Sequence, residues 1–254
     1  MQNRTRRLAI GALTSPRRLQ VPDSTLRFHV HSAIESYRVS NVEETWTIAW
    51  MRAVPPGSVV YDVGANIGID SLIAAEGRDR AVRVVAIEPF PANYGSLVKN
   101  IVLNGLQDRV IPIPCGLGRT TGLARYNWAN VEPGGALHSF GIIVKPRTGE
   151  LVAPQGHHAC ICYRLDDLVK LPDLPFPTHM KIDVDGSELD VLAGADDVLR
   201  DRRCCALQIE VIDADDDRPR RQSVVRLLDA AGFSLIAEHA HKLTRVRDLQ
   251  FARR

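Results

Sequence analysis

The sequence lacks long apolar segments and an excess of either charge. None of its 254 residues belongs to an uncharged apolar run of about 18 residues, the length that a helix needs to cross a bilayer. Its 32 Lys and Arg side chains are balanced by 30 Asp and Glu side chains, which leaves a net charge of +2. Such a balance gives no general attraction to nucleic acid or to an acidic surface. We therefore expect no membrane span and no nucleic-acid partner.

Cysteine and aromatic residues are scarce as well. The five cysteines are an odd number, and a chain of this length buries enough core to fold without disulfides. We expect reduced thiols and a cytoplasmic location. Aromatic residues make up 6% of the chain, and an Asn-Pro-Pro-Tyr motif is absent, which disfavours an enzyme that flips nucleic-acid bases.

The amino-terminal residues are basic. The first 22 positions contain five arginines and no acidic residue. The apolar patch at residues 8–13 is short for a signal peptide. We predict a flexible basic arm over residues 1–40, followed by one domain over residues 41–254.

The rest of the chain alternates short apolar runs with helical segments. Strands are predicted at 58–63, 83–87, 110–113, 179–184, 206–211 and 233–238, and helices at 69–75, 92–103, 187–200 and 220–231. This alternation is typical of βαβ crossovers and predicts an α/β fold with a doubly wound, mostly parallel sheet. Residues 120–162 interrupt the alternation, and we expect an insertion or lid over the site there.

A glycine-containing loop follows the first predicted strand. Asp62, Gly64 and Gly68 form a D-x-G-x-x-x-G motif, in which glycine allows the backbone to approach a ligand closely. The spacing differs from the G-x-G-x-x-G of dinucleotide sites, and the lysine of a P-loop is absent. The motif therefore favours a cofactor without phosphate groups and disfavours an NAD-dependent oxidoreductase.

An acidic residue follows the next predicted strand. Glu88 stands about 20 residues beyond the glycine loop, where a carboxylate accepts hydrogen bonds from the two hydroxyls of a ribose. The loop and Glu88 together predict a site for a cofactor that contains a nucleoside.

Four segments of the sequence carry a family resemblance. They are Asp62-Val63-Gly64-Ala65-Asn66-Ile67-Gly68, then Glu88-Pro89-Phe90-Pro91-Ala92-Asn93, then Leu165-Asp166-Asp167-Leu168, and last Lys181-Ile182-Asp183-Val184-Asp185-Gly186-Ser187-Glu188. In this order they resemble the FkbM family of S-adenosylmethionine-dependent methyltransferases. The resemblance implies a class I methyltransferase fold, which is a Rossmann-like sheet of seven strands with an antiparallel last strand. It also implies methyl transfer, usually to a hydroxyl oxygen.

The resemblance implies a set of cofactor-binding residues. Asp62, Gly64, Asn66 and Gly68 are expected to line the methionine and ribose parts of S-adenosylmethionine, Glu88 the ribose hydroxyls, and Pro89 and Phe90 the adenine face. The acceptor is expected to be a hydroxyl of a small molecule or glycan. The sequence predicts neither its identity nor the oligomeric state.

Acidic residues at the end of the fourth strand are the candidates for catalysis, because ligands of such sheets bind outside the carboxyl ends of the strands. Asp183 is the candidate general base or substrate anchor, with Lys181, Asp185 and Glu188 shaping the acceptor site. In the alternative interpretation, Asp185 and Glu188 only cap the following helix and Lys181 pairs with one of them. Asp185 stands where the family commonly has glutamate, so it keeps the charge with a shorter reach.

Other interpretations of the sequence remain open. His138 is a second candidate base, although a histidine on a surface loop is the simpler interpretation. The segment 157–162 combines histidines and cysteines, but its spacing disfavours zinc, and we predict no metal site. A non-catalytic module that keeps the fold as a binding domain is the alternative function.

Overall fold

The computed structural model describes residues 16–21, 24–42, 45–76, 81–146, 148–212, 220–241 and 244–254. Its helices are α1 (Ala33–Ser40), α2 (Thr45–Ala53), α3 (Ile69–Ala75), α4 (Pro91–Leu103), α5 (Leu165–Leu168), α6 (Glu188–Ala193), α7 (Asp196–Arg200) and α8 (Arg220–Ala230). Its strands are β1 (Arg17–Val21), β2 (Ser24–Phe28), β3 (Val59–Val63), β4 (Arg83–Ile87), β5 (Val110–Ile113), β6 (Gly116–Leu117), β7 (Gly122–Trp128), β8 (His138–Ser139), β9 (Ile143–Val144), β10 (Leu151–Val152), β11 (Gly156–Tyr163), β12 (His179–Ile182), β13 (Ala206–Ile212), β14 (Phe233–Ala240) and β15 (Val246–Arg253).

A seven-stranded sheet forms the centre of the fold. Its strand order is β14-β15-β13-β12-β3-β4-β5. The last strand, β15, runs antiparallel to both of its neighbours, and the other adjacent pairs are parallel. The predicted doubly wound sheet with an antiparallel last strand is therefore confirmed.

Both faces of the central sheet are covered, which explains its uninterrupted apolar runs. All five residues of β3 are buried. Tyr61 belongs to the core cluster on one face and Val60 to the cluster on the other, because successive side chains of a strand point in opposite directions.

The predicted element bounds hold for some strands, and they fail for one helix and for the last strand. The bounds of β4 and β5 match the prediction. The helix predicted over 187–200 is two helices, α6 and α7, with Gly194 between them. A Cβ on Gly194 would lie 2.1 Å from the carbonyl oxygen of Gly118, so the chain passes too close there for any side chain. Strand β15 was not predicted, because its polar residues alternate irregularly with buried ones.

Residues 17–40 do not form the predicted flexible arm. Strands β1 and β2 pair in antiparallel register, and their buried side chains join the core cluster beneath the central sheet. These side chains are Leu19, Val21, Leu26 and Phe28. Helix α1 follows, with Ser32 and Glu35 forming a capping box at its start. The prediction is wrong here because the strand pattern of β1 and β2, an apolar residue at every second position, is short and is interrupted by arginines. Residues 1–15 lie outside the described part of the chain.

The predicted insertion over 120–162 contains strands β7 to β10 and nearly all of β11. Strands β6, β11, β7 and β8 form a separate four-stranded sheet, in that order. After β7 the chain runs through residues 132–138, which end at the first residue of β8 and which we call the strap. The strap lies across the carboxyl ends of the central strands, where Asn66 and Asn93 both donate to the Gly135 carbonyl oxygen.

Two features bear on the expectations about thiols and membranes. All five cysteines have free thiols, and only Cys205 is exposed. The longest helix of the described residues, α4, has 13 residues. Within those residues, none of the helices combines the length and the apolar character needed to span a membrane.

The packing of the amino-terminal strands can be tested with Phe28→Ala. Because Phe28 is fully buried in the core, the substitution should lower the free energy of unfolding by about 3–5 kcal/mol in urea denaturation. Leu123→Ala is the matched control, since Leu123 is 79% exposed, and should change it by less than about 0.5 kcal/mol. Equal stabilities of Phe28→Ala and the wild type would mean that residues 17–40 do not pack on the domain.

Candidate active site

The carboxyl ends of β3, β4 and β12 meet at two adjoining cavities. The first, of about 210 Å³, is lined by Glu88, Pro89 and Asp185 among others. The second, of about 270 Å³, is lined by Asp70 and Lys181 among others. Four residues line both cavities and mark their junction: Arg38, Gly64, Asn66 and Asp183.

Gly64 permits the close approach of β3 and β12 at this junction. Its φ is +87°, a conformation that favours glycine, and a Cβ there would lie 1.8 Å from the carbonyl oxygen of Asp183. Gly68, with a φ of +92°, directly precedes α3 and lines neither cavity. The motif therefore shapes the floor of the site through Gly64, while Gly68 turns the chain into the helix.

Glu88 is a buried carboxylate at the wall of the first cavity. Its Oε1 accepts from the backbone N–H of Phe90 at 2.7 Å, and its Oε2 accepts from the N–H of Asn66 at 2.8 Å. Burial raises the pKa of Glu88 to about 7, although these two hydrogen bonds oppose the shift. Each oxygen has a second lone pair, so the carboxylate retains the capacity to accept from ligand hydroxyls.

Lys181 joins three carboxylates below the junction. Its Nζ lies 2.9 Å from Asp70 Oδ2, 3.2 Å from Asp183 Oδ2 and 3.8 Å from Asp62 Oδ1. Asp62 is fully buried and lines neither cavity, and its Oδ2 accepts from Ser71 Oγ at 2.6 Å. Burial raises the pKa of Asp62 to about 6, with Lys181 opposing the shift. Asp62 therefore supports the site from below, and the predicted contact with a cofactor does not appear in this geometry.

The three acids at the end of β12 have different surroundings. The side chain of Asp183 is 30% exposed and faces both cavities. Asp185 is held by the strap, because its Oδ2 accepts from the N–H of Leu137 at 2.7 Å and of His138 at 3.3 Å. Burial raises its pKa to about 6. Glu188 is buried, and its Oε1 accepts from the N–H of Gly186 at 2.7 Å.

These surroundings favour different roles for the acids. Asp183 is the one of the three that combines partial exposure with access to both cavities. Burial raises the pKa of Glu188 to about 7, and the residue lines neither cavity. Glu188 bonds to the N–H of Gly186 in the turn before α6, so it stabilises that turn and does not form the predicted cap of the helix.

Aromatic side chains form one end of the first cavity. Pro89, Tyr126 and Phe140 line it, while Phe90 lies behind this wall with its ring centroid 4.4 Å from that of His138. His138 is 5% exposed, so the interpretation as a surface histidine is wrong. Burial lowers the pKa of His138 to about 4, which makes it a weak base near neutral pH.

Sequence reasoning missed the contribution of Arg38, Asp70 and His241 to the cavity walls. Asp70 follows the motif by two residues, and its position in the first turn of α3 was a usable signal. Arg38 carried no signal because it lies in the segment predicted as a flexible arm. His241 directly follows β14, three residues beyond the end of the strand predicted at 233–238, so it was not assigned to the site.

One group of possible metal ligands occurs among the described residues. Single ligand atoms of Glu210, His241 and Asp248 all lie within 4.8 Å of one another. His241 Nε2 and Asp248 Oδ2 are 2.8 Å apart and share a hydrogen bond. This hydrogen bond accounts for the position of the histidine without an ion. The histidines and cysteines of 157–162 form no such group in the described chain.

Two solved structures share the fold of this chain. A methyltransferase FkbM from Methylobacillus flagellatus KT superposes with a TM-score of 0.53 at 19% identity, over 77% of this chain and 43% of that chain. This chain therefore spans less than half the length of that protein. Magnesium protoporphyrin IX methyltransferase from Synechocystis, with bound S-adenosylmethionine, has a TM-score of 0.52 at 12% identity, over 88% of this chain and 85% of that one.

Sequence comparisons agree with the fold. Hexuronic acid methyltransferase AglP of Haloferax volcanii is 26% identical over 250 residues, which cover 97% of this chain and 92% of the relative. The 31-O-demethyl-FK506 methyltransferase FkbM of Streptomyces tacrolimicus is 30% identical over 210 residues, or 72% of this chain and 75% of the relative. The model of the methyltransferase FkbM domain matches residues 62–235, more than half of the chain. The protein therefore belongs to the FkbM family of methyltransferases.

Proposed function

We propose that the protein transfers a methyl group from S-adenosylmethionine to a hydroxyl oxygen of a small molecule, a sugar or a natural product. The observation that carries this proposal is Glu88, a carboxylate buried in a cavity wall beside the backbone of Asn66. A carboxylate at the end of the second strand of such a sheet is placed to grip the hydroxyls of a ribose.

The residues of the first cavity fit this cofactor. Glu88 would hold the ribose hydroxyls, and the wall formed by Pro89, Tyr126 and Phe140 would contact the adenine. The missing side chain of Gly64 leaves the junction open for the methionine part, with Asn66 beside it. When bound, S-adenosylmethionine supplies an electrophilic methyl group on a positively charged sulfur.

Asp183 is the proposed general base. It faces both cavities, so its carboxylate can reach a hydroxyl placed at the junction and accept its proton as the oxygen attacks. Lys181, the second proposed catalytic residue, holds this carboxylate in place through the 3.2 Å ion pair. Glu188, predicted as a third catalytic residue, lines neither cavity and has a positioning role in this proposal, because it accepts from the backbone N–H of Gly186 in the turn after β12. The enzyme otherwise contributes by aligning acceptor and cofactor.

The relatives support an oxygen acceptor of low molecular weight. One is named for a hexuronic acid and another for an O-demethylated natural product. The balanced charge of the chain gives no support to a nucleic acid as acceptor. Between a catalyst and a non-catalytic binding module, the partly exposed Asp183 at the cavity junction favours a catalyst.

The role of Glu88 can be tested by calorimetry with S-adenosylhomocysteine. Glu88→Ala should weaken binding at least about 100-fold, because it removes charge-assisted hydrogen bonds to both ribose hydroxyls. Glu150→Ala is the control, since this carboxylate is exposed and pairs with Lys145 away from the cavities. Unchanged affinity in a folded Glu88→Ala protein would refute the assignment.

The buried carboxylates predict a pH dependence of stability for the protein without ligand. Burial raises the pKa of Glu88 and Glu188 from the ordinary 4.5 to about 7, so folding disfavours their charged forms. Their contribution to stability is therefore full below pH 4.5 and is lost as the pH rises through about 7. We expect the free energy of unfolding to fall between pH 5 and 8, by up to about 3 kcal/mol from Glu88 alone. Urea titrations at both pH values would measure this.

The same titrations on Glu88→Ala provide the comparison. Without this carboxyl group the loss of stability between pH 5 and 8 should be smaller than in the wild type. Identical pH profiles of the two proteins would show that Glu88 ionises normally in the folded state.

The role of Asp183 can be tested with Asp183→Asn. The variant should lower kcat by at least about 100-fold, while affinity for S-adenosylhomocysteine changes less than about 3-fold. The acceptor for the assay would first be found by mass spectrometry of metabolites that gain a deuterated methyl group from labelled S-adenosylmethionine. Asp190→Asn is the control, because Asp190 is exposed and pairs with Arg119 outside the cavities. A wild-type rate in Asp183→Asn would show that another group takes the proton.

A further inference from the structure

Arg38 places a positive charge at the junction of the two cavities. It lies on α1, is partly buried, and lines both cavities. Its Nε donates to the carbonyl oxygen of Gly134 in the strap. None of the ion pairs between described residues involves its guanidinium group. The terminal nitrogens therefore remain available for a ligand.

Asp185 is an acidic neighbour of this guanidinium group but forms no ion pair with it. Asp185 is close enough for Arg38 to oppose the rise in its pKa that burial causes. However, Oδ2 of Asp185 is committed to the backbone N–H groups of Leu137 and His138. Arg38 thus influences Asp185 through space and forms no bond with it.

Besides Arg38, one other lysine or arginine lines the cavities, and carboxylates already neutralise its charge. Lys181 is the only further one among the lining residues, and it contacts the carboxylates of Asp62, Asp70 and Asp183. Arg38 is therefore the fixed cation that remains for an anionic group of a ligand. A guanidinium is well suited to this, because its planar array of N–H groups matches the two oxygens of a carboxylate.

We propose that Arg38 binds the α-carboxylate of the methionine part of S-adenosylmethionine. This inference rests on the proposed function. Glu88 marks the adenosine end in the first cavity, so the methionine part extends past Gly64 toward the junction, where Arg38 lies. The negative walls at Asp70, Asp183 and Asp185 complement the two positive charges of the cofactor, and Arg38 complements its single negative charge.

The assignment gives the amino-terminal segment a role in the cofactor site. Helix α1 lies outside the family-matched residues 62–235, and it is held over the site by contacts with the strap. Ser32 Oγ donates to the Pro133 carbonyl oxygen, and Arg38 Nε donates to that of Gly134. A carboxylate bound to Arg38 would connect the cofactor to both α1 and the strap.

The test compares two ligands by calorimetry on the full-length protein. S-adenosylhomocysteine carries the carboxylate, and its decarboxylated analogue keeps the amine and the adenosine. Arg38→Gln retains a donor for the Gly134 carbonyl oxygen but loses the charge. We expect it to weaken S-adenosylhomocysteine binding at least about 10-fold and the analogue less than about 2-fold. Arg38→Lys keeps the charge without the planar array of N–H groups. Its affinity for S-adenosylhomocysteine should therefore lie between those of the wild type and Arg38→Gln.

Matched controls separate the possible outcomes. Arg18→Gln removes an exposed charge from the same segment and should leave both affinities unchanged. Equal weakening of both ligands by Arg38→Gln would assign the residue a structural role and overturn the proposal. If Arg38→Gln left the affinity for S-adenosylhomocysteine unchanged but raised the KM for the acceptor, the anionic group bound by Arg38 would belong to the acceptor. That result would also overturn the proposal. If the wild type bound neither ligand, the proposed function itself would fail.

Discussion

The ion pairs of the buried Lys181 ammonium group are the interactions on which the site depends. Burial of a charge is costly unless opposite charges surround it, and here Asp62, Asp70 and Asp183 come from β3, α3 and the end of β12. One cation thereby fixes three elements at the junction of the cavities. Removal of the lysine would leave three carboxylates close together without compensation. The position of Asp183, the proposed base, follows from this cluster.

The cover of the site depends on backbone groups rather than on apolar packing. The strap is held by the side chains of Ser32, Arg38, Asn66, Asn93 and Asp185, each of which bonds to a backbone N–H or carbonyl group. Such bonds constrain the backbone path of the strap. Glycine is required within it, because a Cβ on Gly135 would lie 2.2 Å from Asn130 Oδ1.

The glycine loop and Glu88 show how a family motif translates into geometry. Gly64 is required because a Cβ would collide with the Asp183 carbonyl oxygen, and Asn66 uses its N–H to hold Glu88. Asp62, in contrast, lies below the cavity walls, although the motif predicted that it would line them. It reaches the cavities only through its contact with Lys181.

The sequence by itself determined most strands of the central sheet but not β15, because strands buried on both faces, such as β3 and β4, require uninterrupted apolar runs that are visible locally. It also determined the positions of Glu88 and Asp183, since these directly follow such strands. It did not reveal β1 or β2, because each strand has only two buried residues and these alternate with arginines and other polar residues. Arg38 was missed because it lies in the segment predicted as a flexible arm. Only the tertiary structure decided which acids face the cavities. Exposure of Asp183 and burial of Glu188 depend on contacts between residues far apart in the chain, and these contacts leave no local pattern.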